Sequence, residues 1–196
     1  MKNDHRIAVT KKMITDAFLV AVKSKPISEI TVKELCESAH INRATFYVHY
    51  ENIFDLADSV RQEFAEKIIT AVTEFKNEDS LNDMLVSVCL CIAENPDYCE
   101  TVFGRYADSD FINTVVELLR GKFLSLWREC DGADKADLDL TYTFIANGGV
   151  AVLSSWVQSG MKQSPEYIAA FIERNVKIEG FENAIDINSF LSEEIV

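Results

Sequence analysis

The sequence predicts an all-α protein with an N-terminal three-helix, helix-turn-helix head and a C-terminal helical bundle. The chain of 196 residues contains only 7 Gly and 3 Pro, a scarcity that favours helices over turn-rich β architecture. Apolar residues recur at three- and four-residue spacing along most of the chain, which is the pattern of amphipathic helices. Hydrophobic residues make up 48% of the chain, so a packed core is expected rather than disorder.

The first predicted helix runs from about Thr10 to Lys23. Its apolar face is formed by residues at positions i, i+3, i+4 and i+7, namely Ile14, Ala17, Phe18 and Ala21. Lys25 precedes Pro26, and a residue before proline avoids the α conformation. The helix is therefore expected to end there.

The second and third predicted helices are joined by a tight turn. Thr31 and Glu34 form the T-x-x-E pattern of a capping box at the start of the second helix. This helix stops near His40, and Asn42 is a good N-cap for a third helix that runs to about Val48. A connection of about three residues between two helices is the geometry of a helix-turn-helix motif.

The remainder of the chain is expected to form a helical body. A fourth helix is predicted from Asn52 to about Lys76, and Pro96 and Gly160 mark later breaks. The other expected helices cover residues 80–95, 98–106, 110–130, 136–158 and a segment from Pro165 to just before Gly180. The sequence thus divides into a head over 1–51, a body over 52–180 and a weakly patterned tail over 181–196.

Charge is distributed unequally between head and body. Residues 1–50 carry eight Lys and Arg against five Asp and Glu, a net charge of +3. Residues 51–196 carry eleven basic and twenty-seven acidic residues, a net charge of −16, which completes the −13 of the chain. A basic segment can contact phosphate groups and a strongly acidic one avoids them, so a nucleic-acid contact is expected only at the head.

Catalytic and metal-binding patterns are missing from the sequence. It has no Gly-rich phosphate loop, no H-E-x-x-H and no C-x-x-C, and its three His all lie within residues 1–50. No enzymatic activity, cofactor or metal site is therefore expected. The five Cys, an odd number, suit a reducing compartment. We expect them to be small buried hydrophobes; a thiol sensor is the alternative.

The location of the protein is inferred from its apolar segments. The sequence has no run of about 18 uncharged apolar residues, the length that a transmembrane helix needs. Its basic start leads into no apolar stretch typical of a signal peptide. A cytoplasmic protein is expected.

The segment from Thr31 to Leu56 reads TVKELCESAHINRATFYVHYENIFDL. It resembles the DNA-binding head of the TetR family of bacterial transcription regulators. The positions that match the family pattern are Thr31, Val32, Leu35, Ala39, Asn42, Thr45, Phe46, Tyr47, His49 and Tyr50. The resemblance extends over about residues 8–60, whereas the body is similar only in its helical layout and size.

The resemblance implies that the third helix is a recognition helix, which places its N-terminal residues against base edges in the major groove. Those residues are Asn42, Arg43, Ala44 and Thr45. An Arg side chain can pair bidentately with guanine, and Ala44 is small enough for close approach or contact with a thymine methyl. Taken alone, Asn42 would only cap the helix and Arg43 would be a solvated surface residue. Phe46 and Tyr50 are expected to be core residues.

Phosphate contacts are implied for both helices of the motif. In the family, the positions of Tyr47 and His49 hold phosphates. Thr31 and Lys33, at the start of the second helix, can present donors to the DNA backbone. The alternative for Tyr47 and His49 is that they are half-buried packing residues.

The sequence departs from the family pattern at two positions. The turn Gly of the family is His40 here, at a position that usually requires a positive φ, which His tolerates better than most residues but at some cost. The Lys often found just inside the fourth helix is Ile53 here, so one phosphate contact is missing. DNA affinity is then expected to depend more on other cations of the head, namely Lys2, Arg6, Lys11 and Lys33.

The resemblance also implies a homodimer bound to double-stranded DNA at a pseudo-palindromic site. One short recognition helix contacts too little DNA for a tight specific site, so such heads normally work in pairs. TetR-like proteins dimerise through their last two long helices, here 136–158 and 165–178. The candidate interface is a stripe of Ile145, Gly148, Gly149, Val152 and Trp156. The alternative is that the Gly pair marks a kink and that Trp156 is core.

A ligand pocket inside the body is the last implication of the resemblance. Candidates to line it are Tyr98, Phe103, Tyr106, Phe111, Phe123, Trp127, Phe144 and Asn147. Aromatic residues with a few polar groups are typical of pockets, but they are equally typical of cores. A small-molecule effector, neutral or cationic in view of the acidic body, would shift the equilibrium between two arrangements of the heads.

These expectations favour a ligand-responsive repressor that acts as a dimer. The alternative is a DNA-associated protein, a co-regulator or nucleoid-associated protein, whose body binds a protein partner instead of a small ligand. A buried, polar-lined cavity would favour the sensor, and a closed core with an exposed apolar groove would favour the partner-binding protein.

Overall fold

The computed structural model describes residues 2–73, 81–103, 112, 113, 116, 117, 120 and 135–176. Within these residues every regular element is helical, which confirms the all-α prediction. The helices are α1 (Lys2–Val22), α2 (Val32–Ser38), α3 (Arg43–His49), α4 (Ile53–Thr73), α5 (Leu81–Glu94), α6 (Pro96–Phe103), α7 (Lys135–Gln158) and α8 (Pro165–Val176), with a 3₁₀ turn at Ile27–Glu29. Most of the helix predicted over 110–130, and the tail 181–196, lie outside the described residues.

The first compact unit is formed by α1, α2, α3, the part of α4 up to Ala65, and α6. Side chains from α1 to α4 enclose one core, in which the least accessible residues are Ile14, Phe18, Leu35, Phe46 and Leu56. Burying each such side chain contributes roughly 1.5–3 kcal/mol. This unit is larger than the predicted head of residues 1–51. The boundary of the DNA-binding domain at residue 51 stays a prediction.

The N-terminal boundary predicted for α1 was wrong. The helix begins at Lys2 and not near Thr10. Thr10 does not cap a helix start, because its hydroxyl donates to the carbonyl of Arg6 at 2.9 Å, one turn earlier. Ile7 and Val9 in the first turns are exposed. These turns have no buried face, so the sequence shows no amphipathic pattern that predicts them. The predicted apolar face is confirmed: Ile14, Ala17 and Phe18 are buried and Ala21 is partly buried.

The second compact unit contains the end of α4 with α5, α7 and α8. Helix α5 packs chiefly against α8, and α7 also contacts α8. The buried residues of this unit include Met84, Cys89, Ile92, Leu138, Tyr142, Trp156, Ile168, Ala169 and Ile172. Asn82 donates to the Glu173 carboxylate at 3.1 Å and thereby joins α5 to α8.

The cysteines of the described residues are all free. Cys36, Cys89 and Cys99 are buried, and Cys91 is half-buried. Burial raises the pKa of the Cys89 thiol to about 12. Reactivity requires the thiolate, so burial favours the interpretation of these residues as small hydrophobes over that of a thiol sensor. Cys130 lies outside the described residues.

Candidate nucleic-acid interface

Helix α3 is started by an N-cap that uses two of the predicted DNA-binding residues. The Asn42 side-chain oxygen accepts from the Thr45 backbone N–H at 2.8 Å and from the Thr45 hydroxyl at 3.0 Å. Such a cap stabilises a helix by about 1 kcal/mol, which matters for a helix of only seven residues. The cap occupies the Thr45 hydroxyl proton and the Asn42 oxygen, so these groups build the helix and are not directed at a base.

The buried side of α3 is anchored in the core of the first unit. Phe46 is fully buried and Tyr50 nearly so, as predicted. Burial raises the pKa of the Tyr50 hydroxyl. The packing of Phe46 and Tyr50 fixes the orientation of α3, because a rotation about its axis would expose both rings.

The opposite side of α3 is exposed. It carries Arg43, Ala44, Tyr47 and Val48, at positions i, i+1, i+4 and i+5 of one helix face. Among the described residues, no carboxylate lies within ion-pairing distance of the Arg43 guanidinium. The sequence analysis missed Val48, which is 78% exposed. Its position four residues after Ala44 was the signal that could have found it.

Tyr47 and His49 lie in different surroundings. Tyr47 is 58% exposed and packs only an edge against Phe46, with ring centroids 5.5 Å apart. His49 is half-buried, and its ring centroid lies 6.4 Å from that of Tyr50. Tyr47 therefore presents its hydroxyl to the outside, whereas His49 is partly engaged in packing.

The turn between α2 and α3 has the conformation that the sequence predicted. His40 adopts φ 53°, in the left-handed region. Its N–H donates to the Glu37 carbonyl at 3.3 Å, and the Ile41 N–H donates to the Cys36 carbonyl at 3.0 Å. This pair of bonds is a Schellman motif, and Ile41 packs against the core as the motif requires. The turn keeps its geometry without glycine.

Helix α2 begins with the predicted capping box. The Thr31 hydroxyl accepts from the Glu34 N–H at 3.3 Å, and the Glu34 carboxylate accepts from the Thr31 N–H at 3.1 Å. The Thr31 amide is therefore not available to a phosphate, although its hydroxyl can still donate. Glu34 also pairs with Lys25, and this contact with Lys25 followed by the bond from Thr31 lowers the pKa of the carboxyl. Lys33, in the first turn of α2, is exposed, and its Nζ lies 4.0 Å from a carboxylate oxygen of Glu37.

The start of α4 confirms that one cation of the usual pattern is absent. Ile53 is 6% exposed and belongs to the core. The Asn52 side chain caps the helix by accepting from the N–H groups of Phe54 at 2.8 Å and Asp55 at 3.1 Å. Asp55 in turn accepts from the Glu51 N–H at 2.8 Å. This helix start therefore presents capping groups, and no cation, near α3.

Helix α6 supports the head from within the first unit. Tyr98 stacks on Phe64 of α4 with centroids 5.8 Å apart, and its hydroxyl donates to the Glu63 carboxylate at 2.7 Å. Lys23 at the end of α1 pairs with Asp97 at 2.6 Å. Burial, followed by the bond to Glu63, raises the pKa of Tyr98. Tyr98 therefore packs against the core of the head, and its role as a pocket residue stays a prediction.

Two further pocket candidates lie on α7. Phe144 is 69% exposed, and Asn147 is exposed with its amide donating to the Thr143 carbonyl at 2.8 Å. The described residues bury neither side chain. Phe103 is buried at the end of α6. The remaining candidates, Tyr106, Phe111, Phe123 and Trp127, lie outside the described residues.

The residues of the stripe predicted for dimerisation differ in their exposure. Ile145, Gly149 and Val152 are half-buried and Gly148 is exposed. Trp156 is 3% exposed, and its indole N–H donates to the Gln163 carbonyl at 2.9 Å, so it packs within its own chain. A wider apolar surface accompanies the stripe: Leu140 and Phe144 are each 69% exposed, and Tyr167 of α8 is 59% exposed.

Helix α7 is more apolar than the sequence analysis recognised. Residues Leu138–Gln158 are long and apolar enough to cross a membrane by length and composition alone, and 11% of the window is buried inside the chain. The sequence has no uninterrupted apolar run of this length, because Asp139 and several Ser, Thr and Gly residues lie within it. The exposed apolar residues of α7 are a candidate interaction surface.

The anchored recognition helix, the tight turn and the capped helices together define a helix-turn-helix protein. Residues 79–177 match a TetR C-terminal family described as a transcriptional regulator C-terminal region. A 70-residue stretch is 30% identical to the uncharacterized HTH-type transcriptional regulator YxbF of Bacillus subtilis (strain 168). That match covers 35% of this chain and 18% of the relative, so this chain matches under a fifth of the relative's length.

Solved structures share the fold over nearly the whole chain. A TetR transcriptional regulator from Streptococcus agalactiae 2603V superposes with a TM-score of 0.67 at 21% identity, over 91% of this chain and 99% of that one. The fatty acid degradation regulator FadR from Bacillus halodurans gives 0.59 at 15% identity, covering 85% and 94%. The dihydroxyacetone kinase operon activator DhaS gives 0.58 at 17% identity, covering 85% and 93%. The chain belongs to the TetR family of transcriptional regulators.

Proposed function

We propose that this regulator binds a pseudo-palindromic operator in double-stranded DNA as a homodimer and represses transcription in response to a small-molecule effector. The observation that carries the DNA-binding part is the exposed face of α3. Its one cation, Arg43, has no carboxylate partner among the described residues. An Arg fork can bind the O6 and N7 atoms of guanine together.

The residues of the interface divide into two roles. Arg43, Ala44 and Tyr47 face the DNA, while Asn42 and Thr45 hold the start of the recognition helix in place. We assign the neighbouring phosphate contacts to Lys33 and to the Thr31 hydroxyl, and a further contact to the half-buried His49. The head's net charge of +3 supports this contact, and the body's −16 keeps the rest of the chain away from DNA.

Dimerisation is proposed through α7 and α8 on the strength of their uncovered apolar surface. Leu140, Phe144 and Gly148 lie four residues apart and form one exposed row on α7, continued by Ala151. No other described atom lies within 4 Å of a Cβ built on Gly148 or Gly149, so a partner helix could approach closely there. A second copy of the chain is the occupant we propose, because two heads are needed to reach both half-sites of one operator.

The effector and the direction of regulation rest on the family alone. Phe103 is the one predicted pocket residue that is both described and buried. DhaS, one of the structural neighbours, is named an operon activator. The assay for repression is transcription from the selected operator in vitro, with and without the protein; activation would contradict this part of the proposal.

The test of DNA binding is a selection from random duplexes at two salt concentrations, followed by affinity measurements with the Arg43→Ala and Arg43→Lys variants. We expect a pseudo-palindrome with half-sites about one helical turn apart, or somewhat more. Arg43→Ala should reduce discrimination against the wrong base by about 1–3 kcal/mol. Arg43→Lys keeps the charge but loses the fork, so it should lose discrimination and retain the salt dependence of binding. Unchanged discrimination in both variants would contradict the assignment of α3.

The test of dimerisation is sedimentation of the Phe144→Asp variant. A carboxylate buried without a partner is strongly unfavourable, so this variant should be monomeric and should bind the full operator weakly. The matched control is Val20→Asp on α1, where the valine is 64% exposed, and it should stay dimeric. If Phe144→Asp remains a dimer, the α7 face binds something else, and the alternative of a body that binds a protein partner gains support.

A further inference from the structure

We infer that Ala44 and Val48 read the C5-methyl groups of thymines in the half-site, and that Val48 is a specificity-determining residue of this regulator. The inference rests on the proposed function, because it requires that α3 enters the major groove. It adds to that function which base, thymine, the apolar residues of α3 recognise. Neither Arg43 nor Tyr47 can supply this recognition, since both end in polar groups.

The exposure of Val48 is the first observation. At 78%, its exposed fraction is the highest among the exposed large hydrophobics of the described residues. A single exposed aliphatic side chain is ordinary on a protein surface. This one, however, lies on the face of α3 that carries Arg43, and the other apolar residue there, Ala44, is exposed as well. The two residues form an apolar row beside a row of Arg43 and Tyr47.

The spacing of this apolar row fits neighbouring bases. Side chains at i and i+4 of a helix have Cβ atoms roughly 5–6 Å apart, and bases stack about 3.4 Å apart along one strand. Ala44 and Val48 can therefore reach methyl groups separated by about two base steps. Arg43 precedes Ala44 directly, so a guanine contacted by Arg43 should lie close to the first of these thymines.

The chemistry of the groove selects thymine. The C5-methyl of thymine is the apolar group that base pairs display in the major groove. A cytosine in its place carries only a hydrogen at C5, and an N4 amino group where thymine has O4, so the apolar contact with Val48 would be lost. Val48 is β-branched and has one strongly preferred rotamer in a helix, so its methyl groups are already positioned and little side-chain freedom is lost on binding.

The experiment replaces single thymines of the selected operator with deoxyuridine, which removes only the methyl group. Dissociation constants are measured for the wild type and for Val48→Ala. Two thymines of each half-site should be sensitive in the wild type, one contacted by Ala44 and one by Val48, with roughly a fourfold weaker affinity for the deoxyuridine operator in each case. Val48→Ala should lose the sensitivity at one of these two thymines, because the side chain that contacts that methyl is absent, and keep it at the other.

Two controls make the result specific. Val20→Ala removes methyl groups from an exposed valine of α1 and should keep the full sensitivity to deoxyuridine. Val48→Thr keeps the shape but adds a hydroxyl, and it should lower affinity for the thymine operator. If deoxyuridine has no effect on the wild type at any position, or the same effect on Val48→Ala at every position, the inference is wrong while the proposed function stands. If no sequence is selected at all, the proposed function itself fails.

Discussion

His40 holds the turn of the helix-turn-helix motif in a conformation that favours glycine, and the substitution His40→Gly should therefore stabilise the protein. At φ 53° a residue with a Cβ is about 1–2 kcal/mol less favourable than glycine, and His lies near the lower end because it tolerates this region. Glycine has more conformational freedom than His in the unfolded chain, and this lowers the stability of the folded state by about 0.4–1 kcal/mol. The net stabilisation is expected to be at most about 0.6 kcal/mol.

The structure supplies a matched position for the opposite change. Gly160 follows α7 with φ 83°, and the bonds from Gly160 to Val157 and from Met161 to Trp156 form the same motif. A Cβ added to Gly160 would meet no described atom within 4 Å, so the cost of Gly160→Ala is backbone strain without a clash. This variant should lose up to about 1 kcal/mol.

Urea unfolding followed by circular dichroism, at one protein concentration, measures both variants. The denaturation midpoint of His40→Gly should rise with an unchanged slope, and that of Gly160→Ala should fall. His40→Ala should be no more stable than the wild type, because alanine retains the strain. The His40 ring is exposed and has no hydrogen bond or ion pair to another described residue, so little is lost with it. A midpoint of His40→Gly below that of the wild type would refute the reasoning.

Three other substitutions test single contacts. The pKa of Glu34 is lowered in the folded state, first by Lys25. The Glu34 carboxylate therefore contributes to stability above its ordinary pKa of 4.5, and this contribution is lost as the pH falls through the folded pKa. The stability difference between wild type and Glu34→Gln should shrink below pH 4.5 in acid titrations, and a constant difference would contradict this. Asn42→Ala should cost about 1 kcal/mol of unfolding free energy and Asn42→Ser much less, since serine also caps helices; equal losses in urea unfolding would argue against the cap. Trp156→Phe removes the indole N–H that donates to the Gln163 carbonyl and should cost about 1 kcal/mol in the same assay, while a change in sedimentation would return Trp156 to the dimer interface.

The local features of the head could be read from the sequence with accuracy. The capping box of Thr31 and Glu34, the cap of Asn42 and the positive φ of His40 all have the predicted geometry. Each depends on residues at most four positions apart, so the short-range chemistry of the backbone decides them. The buried positions of Phe46 and Tyr50 were also predicted correctly, because the helix-turn-helix pattern is a contiguous segment.

The faces of the body helices could not be read in this way. Phe144 and Trp156 are both aromatic residues of α7, yet the first is 69% exposed and the second 3%. Tyr98 packs with Phe64 and Glu63 in the first unit although it lies far from them in sequence. Periodicity identifies an apolar face, but it does not identify the element that covers that face.

The sequence by itself therefore determined the all-α class, the positions of the caps and turn, and the segment that carries the recognition helix. Only the tertiary structure decided that Val48 is exposed on the outer face of α3, and that α7 leaves Leu140 and Phe144 exposed. The physical reason is that caps and turns are governed by interactions between near neighbours. Burial is governed by the packing of helices whose contacts join distant parts of the chain.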